Sequence, residues 1–124
     1  MALAGHQMER VTLLSKDDSG MVQDALVEAI GNYQVIRFTA DSYVRVGEPH
    51  LIGITEKTGH MQLEMYQTGG DVSESSRKRG GLPSWKRFNI EDISGVAAAG
   101  PKFVRRPDFN PDCGYWSRII ASVE

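Results

Sequence analysis

The chain has 124 residues, 40% of them apolar and 24% charged, with a formal net charge of −2. That length fits one domain of ~100–200 residues with one modest core, and the mixture excludes a disordered chain. No window approaches ~18 uninterrupted apolar residues, which excludes a helical membrane span, and the net acidity argues against a nucleic-acid binder that uses its whole surface.

The opening residues 1–6 lack a basic leader and an apolar stretch, so no secretory signal is expected. The single cysteine, Cys113, leaves no internal disulfide, no structural zinc site and no redox pair. The expectation is a reduced, cytoplasmic protein without a cofactor: an N-terminal arm over 1–18, then one domain over 19–124.

The first periodic segment places Val22, Leu26, Ala29 and Ile30 on one helical face. With Ser19 as cap and Gly31 as a left-handed stop, it predicts a helix over roughly 20–30. Residues 33–39 are β-branched and aromatic and read as a strand. Asp41-Ser42 reads as a turn into a second strand from Tyr43. Pro49 has no amide hydrogen to give a ladder, so that strand must bend, bulge or lie at an edge there before Leu51-Ile52-Gly53-Ile54 continues it.

Lys57-Thr58-Gly59 is a turn signal. Residues 61–67 then form the clearest period-two run, with Met61, Leu63 and Met65 on its apolar side. Residues 69–84 are rich in glycine, serine and charge and read as a long exposed loop. Alternation resumes over 85–90, with Phe88 and Ile90 inward, and a fifth short strand spans 93–98. Asn110-Pro111-Asp112 reads as the cap of a final helix carrying Trp116, Ile119, Ile120 and Val123. Together these elements predict a mainly β fold: a small, strongly bent five-stranded antiparallel barrel with one helix before and one after.

The order of these landmarks resembles the WYL domain family, the small Sm-like or SH3-like barrels of bacterial regulators. Val35-Ile36-Arg37-Phe38 is similar to the family's opening strand, and Arg45 to Leu51, with Pro49, to its second. Leu63 and Tyr66 match the end of the Trp-Tyr-Leu strand, and Phe88-Asn89-Ile90-Glu91-Asp92-Ile93 its closing segment. The motif is degenerate: Met61-Gln62-Leu63 lacks the aromatic pair, and Asn89 and Asp92 stand where arginines are usual. The segment before Leu26 is too short for the helix-turn-helix that often precedes such domains. The resemblance implies a standalone regulatory or sensing module of transcription-regulator type, without catalysis.

Strand parity points to binding independently. With Ile36/Phe38, Val44/Val46, Met61/Leu63/Met65 and Phe88/Ile90 inside, the opposite face collects Tyr43, Arg45, Gln62, Glu64, Tyr66, Trp85, Arg87 and Asn89. Interleaved rings and arginines suit base stacking and phosphate pairing. Residues 71–107 add eight basic against four acidic side chains, a local patch suited to a small anion or a short strand.

The expected ligand-binding set is Arg45, His50, Tyr66, Trp85, Lys86 and Arg87, taking a nucleotide-like anion or short single-stranded nucleic acid. Two competing arrangements stay open: Glu64 pairing with Arg45 or Arg87, or the terminal helices packing over this face to make a second small core. The alternative function is a protein-interaction or homodimerisation module. His6 and His60 lack metal-ligand spacing, and Cys113 has no histidine near it in sequence.

Overall fold

The structure, a computed structural model, describes residues 15–72 and 74–124. Its elements are α1 (Ser15–Gly31), β1 (Gln34–Ala40), β2 (Tyr43–Thr55), β3 (Met61–Gly70) and the five-residue α2 (Glu74–Lys78). They are followed by β4 (Ser84–Asn89), a 3₁₀ turn at Ile90–Asp92, β5 (Ile93–Lys102) and β6 (Trp116–Ser122). All pairings are antiparallel, in the order β4-β3-β2-β1-β5, with β6 added to β2.

Among the described residues the fold is therefore mainly β, with six strands and one long helix. Of the expected arm, residues 1–14 lie outside the described residues and 15–18 belong to α1. Among the described residues, no helix is long and apolar enough to cross a membrane.

Two expectations are corrected. The sheet is not closed into a barrel: it ends at β4 and β5, which do not pair. The expected C-terminal helix is instead a strand, β6, lying against Leu51–Thr55 of β2. Trp116, Ile119, Ile120 and Val123 fit helical spacing, but the run is short and β-branched, and such runs are decided by the edge available to them. β2 offers that edge because its pairing with β1 stops at Gly47.

Pro49 sits where β2 changes neighbours, β1 before it and β6 after it. A residue with no amide hydrogen costs nothing in that gap. The register against β3 also shifts there, from Pro49↔Met65 to Leu51↔Glu64, so His50 is an inserted bulge residue.

The core gathers Val22, Leu26, Ala29 and Ile30 of α1 with Ile36, Phe38, Ile52, Leu63, Met65 and Phe88. The stripe read for α1 is thus the buried one, although the helix starts four residues before Ser19. Its stop is different too: the left-handed residue is Tyr33 (φ 53), not Gly31, after Asn32 N–H has closed on the Glu28 carbonyl at 3.0 Å. Asp41 (φ 54) and Ser42 (φ 69) make the two-residue hairpin turn between β1 and β2.

That turn sets β2's parity. Phe38 pairs with Arg45 and Arg37 with Val46, so Arg45 faces the Phe38 side. Val44, expected inside, is exposed.

Candidate functional site

The six expected ligand residues divide between the two faces of the sheet. Tyr66, Trp85 and Arg87 share one face with Glu48, Glu64, Gln62 and Asn89, because Glu48↔Tyr66↔Trp85, Glu64↔Arg87 and Gln62↔Asn89 are cross-strand partners. Arg45 and Lys86 lie on the other.

The aromatic face is covered by the chain's own residues 103–116. Phe109 stacks on Trp85 at 5.9 Å between ring centroids, and Trp85 Nε1 donates to Asp108 at 2.9 Å. Arg106 lies 4.4 Å over the Tyr66 ring and grips Glu48 through two bonds of 2.8 and 2.9 Å. That pair contributes about 1 kcal/mol once the guanidinium's 39% exposure is allowed for. Arg87 lies 3.8 Å over Tyr115 and pairs with Glu64 at 3.4 Å, and Tyr115 donates to Gln62 Oε1 at 2.8 Å. Burial raises the Glu64 pKa, and the Arg87 charge opposes that. These rings and guanidiniums thus form the second small core, closed by a coil and a strand rather than by helices.

His50 is the pin of this cover. Its ring is fully buried, 4.9 to 5.1 Å from the rings of Trp85, Phe103 and Phe109. The Arg106 N–H donates to Nε2 at 3.1 Å. Nε2 must therefore be the acceptor, leaving the proton on Nδ1 to be donated to the Glu48 carbonyl at 2.9 Å. Burial lowers its pKa, which agrees with a neutral ring.

The opposite face carries a different cluster beside Asp71 and α2. Arg45 is 6% exposed and Gln67 fully buried, and both donate to one atom, the Asp71 carbonyl oxygen, at 3.5 and 2.9 Å. Ser84 is the cross-strand partner of Gln67. Lys86, next but one on the same face, donates to the buried Ser76 hydroxyl on α2. The Arg45 guanidinium also lies 5.1 Å over Phe88 and 5.3 Å over Tyr43. Burial, and then the positive charges of Arg45 and Arg79, hold the Lys86 ammonium below the ordinary lysine value.

Among the described residues no acid forms an ion pair with Arg45 or Lys86; the two ion pairs both belong to the aromatic face. Burying a guanidinium costs several kcal/mol. Its carbonyl bonds, 3.4 Å to Ala40 and 3.5 Å to Asp71, are at the limit of useful length and return about 1 kcal/mol together. Three buried polar atoms on this face have no hydrogen-bond partner among the described residues: Arg45 Nε, Gln67 Oε1 and Ser84 Oγ. They share this face of the sheet with Lys86, and cations and hydroxyls of this kind are the donors an oxyanion accepts from.

Gln67, Ser76, Arg79 and Ser84 were not among the expected site residues. A signal existed for two of them, Gln67 and Ser84. Gln67 continues the inward parity of Met61, Leu63 and Met65, and Ser84 and Lys86 share the parity of Phe88, so polar side chains stand in line with core positions. The expected loop at 69–84 supplies the rest, through β3 as far as Gly70 and then α2.

Elsewhere, an open depression of about 340 Å³ between α1 and the β2–β3 turn is lined by Gln23, His60, Met61 and Glu91 without converging charge. Cys113 is exposed and unpaired to another thiol. No group of His, Cys, Asp and Glu among the described residues could hold a metal. Comparison with protein-family models, with curated proteins and with solved structures gave no match.

Proposed function

We propose that this chain is a sensing module that binds a phosphate-bearing anion at Arg45 and Lys86, with no bond made or broken. The observation that carries this reading is the buried Arg45 guanidinium, with which no carboxylate among the described residues forms an ion pair. A fold gains little from such a charge, whereas a ligand oxyanion turns the same desolvation into affinity. Lys86 is half-buried, as Ser84 is, and its ammonium meets the ligand first, while Ser76 and Ser84 orient the ligand's oxygens.

The exposed Arg77, Lys78 and Arg79 beside it raise the local anion concentration at low ionic strength. The resemblance to WYL domains, as an open relative of their Sm-like barrel, supports a regulatory role. In that role the aromatic face no longer stacks bases, since residues 103–116 occupy it.

Isothermal titration with inorganic phosphate tests the reading. Binding is expected at low salt, weakening as salt rises and lost when Arg45→Met and Lys86→Ala are combined. Absence of binding by the wild-type chain at low salt removes the proposal.

A further inference from the structure

We infer that the ligand is a phosphate carrying its own proton, as hydrogen phosphate or a monoanionic phosphomonoester does, and that Gln67 selects it. This rests on the anion reading of the same site. The selecting feature is an acceptor where only donors would be expected. The Gln67 amide nitrogen donates to the Gly69 and Asp71 carbonyls, both at 2.9 Å. A flipped amide would set its oxygen against two carbonyl oxygens, so the orientation is fixed and Oε1 is the unpartnered atom.

Ser84, directly across from Gln67, leaves its hydroxyl oxygen unpartnered as well. A ligand that both accepts and donates satisfies the two together. Its charged oxygens accept from Arg45, Lys86 and Ser84, and its P–OH donates to Gln67 Oε1. Sulfate has the charge without the proton, and so does a phosphodiester. The site therefore takes free phosphate or a terminal phosphate and discriminates against the internal phosphates of a nucleic-acid strand. An unpaired buried acceptor costs enough that about tenfold or more in affinity is expected to separate the two classes.

The experiment titrates the full chain near pH 6 with inorganic phosphate, methyl phosphate, dimethyl phosphate and sulfate. Near that pH about half of the methyl phosphate carries one proton and has the charge of dimethyl phosphate, so that comparison isolates the P–OH. Inorganic phosphate and methyl phosphate are expected to bind about tenfold or more tighter than the other two, even though sulfate is dianionic. Gln67→Met is expected to abolish the difference while phosphate still binds. Should that variant not fold, the wild-type pH profile decides: methyl phosphate affinity falls above about pH 6, as the ligand loses its proton, while dimethyl phosphate affinity does not change. Equal binding of all four overturns the selectivity and leaves the anion site standing. Failure of all four overturns both.

Discussion

Arg45→Met separates a guanidinium kept for a ligand from one kept for the fold. Methionine preserves the length and apolar bulk of the stem, so the packing against Tyr43 and Phe88 largely survives. The variant loses two long carbonyl bonds, about 1 kcal/mol together, and two ring contacts of about 0.5–1 kcal/mol each. It is relieved of a buried charge outside any ion pair, whose desolvation costs several kcal/mol.

The balance predicts a ligand-free variant at least as stable as the wild type, by up to about 2 kcal/mol, or a rise of several degrees in Tm for a domain of this size. Phosphate at a hundred times its dissociation constant is expected to stabilise the wild type by about 2.7 kcal/mol and the variant by clearly less. Thermal and urea denaturation with and without phosphate measure both quantities. A ligand-free loss of about 3 kcal/mol or more would falsify the reasoning, because Arg45 would then be holding the fold rather than waiting for an anion.

His50 gives a pH dependence of defined sign. Its folded pKa lies below the ordinary 6.5, so its contribution to stability is complete above about pH 6.5 and is lost as pH falls through that value toward the folded pKa. The raised pKa of Glu64 acts in the opposite sense in acid, so the comparison of wild type with His50→Phe isolates the histidine. Urea midpoints between pH 7.5 and 5 should fall more steeply for the wild type, and equal slopes would refute the assignment. Gly47→Ala places a Cβ 2.5 Å from the Tyr66 carbonyl oxygen and is expected to destabilise by about 1–3 kcal/mol, read from the same denaturation curves.

Much of the fold was legible from local pattern. The α1 stripe, the alternation of β1, β3 and β4, and the disturbance at Pro49 each follow from spacing or from one residue's missing donor. Three things were not. The parity of β2 could not be extrapolated, because valines at 44 and 46 suggest an inward face that the hairpin register assigns to Arg45. The last strand depends on an edge that only the assembled sheet presents. The covering of Trp85 and Tyr66 by residues 103–116 is a contact between segments far apart in sequence. For Glu64 cross-strand parity offered Arg45 or Arg87 as partner, and the register with β4 decided for Arg87.

By itself the sequence determined a mainly β fold with a leading amphipathic helix, because hydrophobic periods of 3.6 and 2 are local properties of a chain. It also determined a positively charged stretch and a few polar residues in line with apolar ones. Only the tertiary structure decided which cations are buried outside an ion pair and which are tied to the rings beside them. Burial and partnership are set by what the rest of the chain brings to each side of the sheet, and a one-residue change of register exchanges those sides.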